Sequence, residues 1–235
     1  MCDSLCRTDP EFQAFFEDFA RRQAPGRCGL EEPVRFLVLL GALAACGGPQ
    51  LYAEILDDAL TAGLTPVQTR EILYQTVPYA GFARVQPLFE ASAQVLRRRG
   101  VDLPLPSQST TTAETRFDRG LDMQKRLFGA QTIESMRANA PADQRPIQDF
   151  LSANCFGDYY TRTGLSPRER ELVTFAVLAA LGGCEPQLTS HVRANLDAGN
   201  SREVLAGAVT ALVPYIGYPR SLNALRCIAE GASQK

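Results

Sequence analysis

Apolar residues recur along most of the chain with the spacing of one helix face. Four phenylalanines after Pro10 stand at i, i+3, i+4 and i+7, which predicts a helix with a buried aromatic side: Phe12, Phe15, Phe16 and Phe19. Thr65 and Ser166 each precede a proline and stand three residues before Gln or Glu, as helix-capping residues do. No stretch alternates as a half-buried strand does. The pattern therefore predicts an all-α fold of about ten helices.

The two halves of the chain repeat each other. Residues 43–48 recur as 178–183 at an offset of 135, and residues 77–81 recur as 213–217 at an offset of 136. One net residue is therefore inserted between these two anchors in the second half. An internal repeat of this length predicts two copies of one helical unit.

A low-complexity stretch separates the two halves. Residues 101–112, VDLPLPSQSTTT, are rich in Pro, Ser and Thr, which is typical of a linker. We therefore predict a degenerate N-terminal repeat over residues 1–100, a linker over 101–112, and a C-terminal repeat over 113–235 that carries the site.

Three residues of the second repeat have no counterpart of the same type in the first: Glu171, Cys184 and His191. In the first repeat, Phe36 stands at the position of Glu171, and Ile55 or Glu54 stands at that of His191. Cys184 corresponds to the Gly48/Pro49 edge of the one-residue gap in the repeat alignment. If these residues served only to pack the fold, some of them should be present in both repeats, because both repeats share that fold. The joint absence of all three therefore predicts one chemical site in the second repeat.

Composition narrows the class of protein. The 235 residues carry 24 Lys and Arg against 26 Asp and Glu, a net charge of −2 without a basic cluster, so nucleic acid is not an expected partner. The longest apolar run, residues 36–46, is far shorter than the ~20 residues that span a bilayer, so no membrane partner is expected. The N-terminus shows no secretory pattern, which predicts a cytoplasmic protein.

Seven cysteines and a single histidine supply the candidate chemistry. The odd cysteine count and the expected cytoplasmic compartment favour free thiols over disulfides. No two cysteines form a CxxC pair, and His191 is the one histidine, so neither a metal site nor a cofactor is predicted.

The candidate site follows from the helices that carry these residues. Cys184 stands at a helix start, where free N–H groups and the helix dipole lower a thiol pKa, although a small buried cysteine fits there equally well. His191 follows two turns later and suits acid–base chemistry, with a core or interface histidine as the alternative. A hairpin through residues 182–183 brings Glu171 closer to His191 than to Cys184. Its alternative role is that of a first-turn acid.

Three further residues are candidate substrate contacts. Arg193 lies about 200° around the helix from His191, so it would bind a substrate carboxylate across a subunit boundary, or else be a surface arginine. Cys155 and Tyr159 belong to an aromatic and polar cluster that lines a pocket or forms core. Asn195, four residues after His191, is placed to orient the imidazole.

The second half resembles the carboxymuconolactone decarboxylase superfamily, which includes the AhpD-like alkylhydroperoxidases. Five segments carry the resemblance: residues 170–174, 178–183, 191–193, 196–199 and 214–219. It extends over 113–231 and, in degenerate form, over 33–95. It implies an AhpD-like fold of two tandem helical repeats that assembles as a homo-oligomer, a trimer or hexamer. It also implies that the protein acts on a small-molecule substrate and that Tyr215 is one of the residues in contact with it.

The AhpD-like branch of this superfamily implies a thiol relay for peroxide or disulfide reduction. Glu171, Cys184 and His191 match its glutamate, first cysteine and histidine, but Gln187 stands where its second cysteine would be and is instead a candidate substrate contact. A complete cycle would therefore need Cys155, Cys227 or an external thiol donor. This peroxiredoxin-type oxidoreductase is our leading expectation.

Two alternatives remain open. The decarboxylase branch implies loss of CO2 from a carboxylated lactone without metal or organic cofactor, and His191-Val192-Arg193 resembles its His-x-Arg motif. That reaction has no use for Cys184. The other alternative is a non-catalytic oligomeric scaffold, because a fold alone does not fix a function.

Overall fold

The computed structural model describes residues 5–233, which form α-helical and π-helical segments and no β-strand. The first repeat contains α1 (Leu5–Thr8), α2 (Pro10–Glu17), π1 (Asp18–Gln23), α3 (Pro25–Cys28), α4 (Glu32–Cys46), α5 (Pro49–Thr61), α6 (Pro66–Ala80) and α7 (Phe82–Arg98). Then follow α8 (Arg116–Phe128), α9 (Ala130–Ala138), α10 (Arg145–Phe150), π2 (Leu151–Tyr160), α11 (Pro167–Leu181), α12 (Glu185–Asp197), α13 (Arg202–Ile216) and α14 (Tyr218–Ser233). The predicted all-α fold is confirmed.

The internal repeat is visible in the helix boundaries. Both ends of α4 recur in α11 at an offset of 135, and both ends of α5 and α6 recur in α12 and α13 at an offset of 136. The one-residue insertion therefore lies in the turn before α12. Two tandem helical repeats, as predicted, build the chain.

The residues group into two compact units. One combines the chain up to Leu105 with the chain from Pro167 onward, and the other is the segment Pro106–Ser166. Residues 101–112 contain no helix. The repeat boundaries expected at residues 100 and 113 stay predictions. None of the described helices is long and apolar enough to cross a membrane.

Local sequence explains where several helices begin and end. At the start of α6, Thr65 Oγ1 accepts from the Gln68 amide at 3.2 Å while Gln68 Oε1 accepts from the Thr65 amide at 2.9 Å, so the predicted cap is confirmed. Gly47 ends α4 with a φ of 79°, a left-handed conformation that a glycine adopts without steric cost.

Helices α4 and α11 form the core of the first unit. They pack at equivalent points of the two repeats, because Gly41 and Ala176 are 135 residues apart and lie against each other. A Cβ at Gly41 would lie 3.3 Å from both Cγ1 and the carbonyl oxygen of Val173, so a small residue lets the helices approach. Most side chains of both helices are buried, which fixes α11, the helix that carries Glu171.

The aromatic side of α2 differs from the sequence prediction. Phe12 and Phe15 are 47% and 58% exposed and meet edge to face with ring centroids 5.2 Å apart, while Gln13 is buried. The expected burial of both phenylalanines is therefore wrong for the single chain. Cys2 lies outside the described residues.

Candidate functional site

The hairpin of α11 and α12 brings a buried histidine and a buried glutamate together. His191 Nδ1 lies 2.8 Å from Glu171 Oε2, and the two residues are 5% and 1% exposed. The predicted approach of Glu171 to His191 is confirmed. An ionised carboxylate only accepts hydrogen bonds, so the histidine tautomer that fits this contact has its hydrogen on Nδ1. Nε2 is then the nitrogen available for chemistry.

The other side of the imidazole faces a tyrosine of the first repeat. Tyr79 Oη, near the end of α6, lies 3.4 Å from His191 Nε2, and the two rings meet edge to face at 5.7 Å. Our sequence reasoning missed Tyr79. The available signal was the repeated segment at 77–81, which places Tyr79 and Tyr215 at equivalent positions. The degenerate repeat therefore contributes directly to the site.

Two asparagines hold the backbones around the pair. Asn195 Nδ2 donates to the carbonyl oxygens of Glu171 at 2.9 Å and His191 at 2.7 Å. Asn200 Nδ2 donates to Asn195 Oδ1 at 2.9 Å and keeps that amide in place. Asn195 thus joins α12 to α11 through the main chain, whereas we had expected it to orient the ring; Glu171 does that.

A buried polar network beside Glu171 ties α11 to α6. Arg170 donates to Gln75 Oε1 at 2.8 Å and lies 3.6 Å from the Glu71 carboxylate, while Gln75 donates to Thr174 Oγ1 at 2.9 Å. All four side chains are buried. Tyr79 is carried by α6 and Glu171 by α11. The network therefore fixes the positions of the two groups that contact the imidazole from opposite sides.

Cys184 is the N-terminal capping residue of α12 and is half-buried. Its Sγ donates to the Leu178 carbonyl at 3.4 Å. Burial, followed by the neighbouring Glu185 and Cys227, raises the pKa of the thiol. The expectation that the helix start lowers this pKa is wrong, because desolvation and nearby negative charge outweigh the helix dipole.

The other predicted contacts fall in several places. Arg193 is exposed and binds the Asp197 carboxylate through Nε at 3.1 Å, and Gln187 is exposed on the same helix. Tyr215 lines a cavity of the first repeat. Cys155 is buried and Tyr159 half-buried within the 106–166 unit, where burial raises the pKa of Tyr159.

Among residues 5–233, no group of three or more His, Cys, Asp and Glu side chains is arranged to hold a metal ion. The site as described therefore consists of an oriented imidazole, its carboxylate partner and a phenol.

Comparison with known proteins identifies the family. The sequence model described as "Carboxymuconolactone decarboxylase family" matches the chain twice, over residues 10–94 and 145–230. The chain belongs to the carboxymuconolactone decarboxylase family. The resemblance read from the sequence is thereby confirmed, and so is its presence in both repeats.

Two similar proteins of known name are decarboxylases by those names. The chain is 32% identical to the 4-carboxymuconolactone decarboxylase of Acinetobacter baylyi over 50% of this chain and 86% of that protein. It is 26% identical to the nitrosuccinic acid decarboxylase of Metarhizium robertsii over 46% of this chain and 76% of that protein. These names favour the decarboxylase alternative over the thiol oxidoreductase that we had ranked first.

A solved structure supports the fold. A Burkholderia xenovorans protein assigned as a gamma-carboxymuconolactone decarboxylase subunit superposes with a TM-score of 0.51 at 24% identity, covering 97% of this chain and 88% of that one. At this identity the likeness bears on the fold. The tandem helical architecture therefore extends over nearly the whole chain.

Proposed function

We propose that this chain is a decarboxylase of a small carboxylic acid, with a carboxylated lactone as the substrate to test first. The observation that carries the proposal is the buried His191, whose Nδ1 is bound by Glu171 while Nε2 is turned toward Tyr79. The sequences named as decarboxylases support it, because both relatives act on carboxylic acids by their names.

The arrangement suits the proton transfer that decarboxylation requires. The bond between the substrate carbon and its carboxylate breaks, CO2 leaves, and the electron pair stays on the substrate, spread into an adjacent carbonyl. His191, as imidazolium, then gives its Nε2 proton to that carbon and regains one from solvent. Glu171 stabilises the imidazolium and fixes the ring, which removes the cost of orienting it during the reaction.

Tyr79 supplies a hydroxyl on the reacting side of the ring. Its Oη lies 3.4 Å from His191 Nε2, which is long for a strong hydrogen bond. With substrate bound, we propose that this hydroxyl donates to the oxygen on which negative charge develops, as an oxyanion donor. Arg193 as a carboxylate-binding group stays a prediction that requires a partner subunit.

The thiol relay has less support. The raised pKa of Cys184 leaves little thiolate at neutral pH, and Gln187 occupies the position of the second cysteine. Cysteine and proton chemistry are separable by mutation, since Cys184 caps the start of α12 and His191 lies seven residues further along, in the middle of that helix.

The decisive experiment measures CO2 release from 4-carboxymuconolactone by wild type, His191→Gln and Cys184→Ser. We expect His191→Gln to lose about 10²- to 10⁴-fold in kcat, because it removes the acid–base group, and Cys184→Ser to keep its activity. A parallel assay of hydrogen peroxide consumption with dithiothreitol tests the redox alternative. Peroxide turnover that disappears in Cys184→Ser, together with no decarboxylation by the wild type, would contradict the proposal.

A further inference from the structure

The first repeat contains a cavity at the position equivalent to the candidate site. Its volume is about 310 Å³, and Phe36, Ile55 and Tyr215 form its wall while Arg21 and Arg35 supply positive charge. Phe36 and Ile55 are themselves buried. The cavity is therefore lined by both apolar and charged side chains.

Repeat offsets relate this cavity residue by residue to the site around His191. Phe36 corresponds to Glu171 and Arg35 to Arg170 at an offset of 135, while Ile55 corresponds to His191 and Tyr215 to Tyr79 at an offset of 136. The acid–base pair is thus replaced by two apolar side chains. The cavity keeps an arginine and a tyrosine but has lost the groups that would transfer a proton.

The environment of the arginine has changed between the two repeats. In the second repeat, Arg170 is buried and held by Glu71 and Gln75. The equivalents of these two partners are Gly207 and Ala211, neither of which has a side chain that can bind a guanidinium. The arginine of the first repeat therefore cannot form the buried network.

Arg35 instead lies at the cavity. Its guanidinium is 4.3 Å from the centroid of the Phe36 ring, and its side chain is 15% exposed. Nη2 contacts the carboxylate of Glu32, three residues earlier, at 3.1 Å, and that glutamate side chain is 64% exposed. Exposed ion pairs of this kind contribute little, so a ligand carboxylate can replace Glu32 on the guanidinium.

The remaining charges are balanced. Arg21 pairs with Asp58 at 3.2 Å, and both side chains are about half exposed. Two arginines and two carboxylates thus line the cavity together with its apolar side chains. This favours a monoanion with an apolar body over a multiply charged ligand, because each added negative charge would meet Glu32 or Asp58.

We propose that this cavity is a second, non-catalytic binding site for a small monocarboxylate with a planar ring. The carboxylate binds the fork of Arg35, and the ring packs on Phe36, Ile55 and Tyr215. The proposal does not depend on which reaction the His191 site catalyses.

The test is a titration with 4-fluorobenzoate followed by fluorine NMR, using the full chain. We expect saturable binding to the wild type and at least about tenfold weaker binding to Arg35→Gln, because a charge-assisted bidentate contact is lost. Arg35→Lys should fall between the two, because a lysine keeps the charge without the fork. The neutral 4-fluorobenzamide should bind the wild type at least about tenfold more weakly.

Two controls locate the binding site. Arg226→Gln removes an exposed arginine that pairs with Glu230, and it should bind as the wild type does. His191→Gln should also bind normally, because it alters the other repeat. Ala62→Trp, at the cavity rim, should abolish binding and serves as an independent variant if Arg35→Gln does not fold.

Three results would overturn the proposal. The first is no saturable binding to the wild type up to about 10 mM ligand, the weak limit expected for a small ligand. The second is equal affinity in the wild type and Arg35→Gln. The third is loss of binding in His191→Gln, which would place the ligand at the other site.

Discussion

His191 owes its proposed role to its surroundings. Glu171 Oε2 binds the imidazole, while Oε1 of the same carboxylate has no hydrogen-bond partner among residues 5–233. A buried oxygen without a partner costs about 1–3 kcal/mol, a cost that concentrates at functional sites. The carboxylate therefore fits a role in holding a charged imidazole better than a role in stabilising the fold.

Removal of one oxygen atom, the Tyr79 hydroxyl, tests whether that group contributes to decarboxylation. Tyr79→Phe keeps the ring that packs on His191 and removes only the hydroxyl 3.4 Å from Nε2. We expect kcat for decarboxylation to fall about tenfold with a small change in KM, because one polar contact to developing charge is lost. Tyr218→Phe, at an exposed position, is the matched control. Unchanged kcat in Tyr79→Phe would rule out this role for the hydroxyl.

Cys184 gives a prediction on pH. Because burial, Glu185 and Cys227 raise its pKa, the thiolate forms only above the ordinary thiol range, and alkylation by iodoacetamide should rise with pH beyond that range. At pH 7.5 the exposed Cys6 should react faster. Peptide mass spectrometry separates the two sites. Faster labelling of Cys184 than of Cys6 at this pH would restore the thiol mechanism as a candidate.

The pairing of Glu171 with His191 could be predicted, because both residues lie in one helical hairpin whose turn is visible in the sequence. The repeated segment at 77–81 singles out Tyr79, but its contact with His191, 112 residues later, depends on how α6 packs on α11. The raised pKa of Cys184 was hidden for the same reason, because the burial of the thiol and its approach to Cys227 of α14 both depend on tertiary packing.

At the scale of helices, the two repeats have helices that begin and end at equivalent positions, but the side-chain contacts between those helices differ. Caps such as Thr65 and Gln68 were predictable because both partners lie within one turn. The inward side of α2 was not, because Phe12 and Phe15 have helical spacing but remain exposed on the surface. Spacing shows which residues share a face, and tertiary contacts decide whether that face is covered.

Arg170 and Arg35 test how the two repeats hold their helices. Arg170→Met removes the buried guanidinium that lies 3.6 Å from the buried Glu71 carboxylate and should lower the free energy of unfolding by about 3–5 kcal/mol. Arg35→Met removes a contact to an exposed glutamate and should cost about 1 kcal/mol or less. Urea unfolding followed by circular dichroism measures both. Equal losses would contradict the structural difference between the two arginines.

At the scale of the whole molecule, the repeats expose equivalent apolar side chains. Three pairs at offsets of 135 or 136 are each nearly half exposed or more: Phe12 and Ile147, Phe15 and Phe150, and Phe82 and Tyr218. Large apolar side chains that stay exposed at equivalent positions in both repeats indicate surfaces for association. In the homo-oligomer implied by the family resemblance, these side chains would be buried in contacts between subunits.

We therefore expect the chain to self-associate through these apolar positions. Light scattering after size exclusion should give a mass that is a multiple of 25.7 kDa at about 10 µM, since stable interfaces bury about 1,000 Å² or more. Phe82→Glu, which places a charge on the exposed start of α7, should shift the mass toward 25.7 kDa. Gln94→Glu adds the same charge at an exposed polar position and should not. A wild type that stays at 25.7 kDa would mean that these exposed apolar residues do not bind a second copy of the chain. Decarboxylase activity at that mass would show that a single chain contains the complete site.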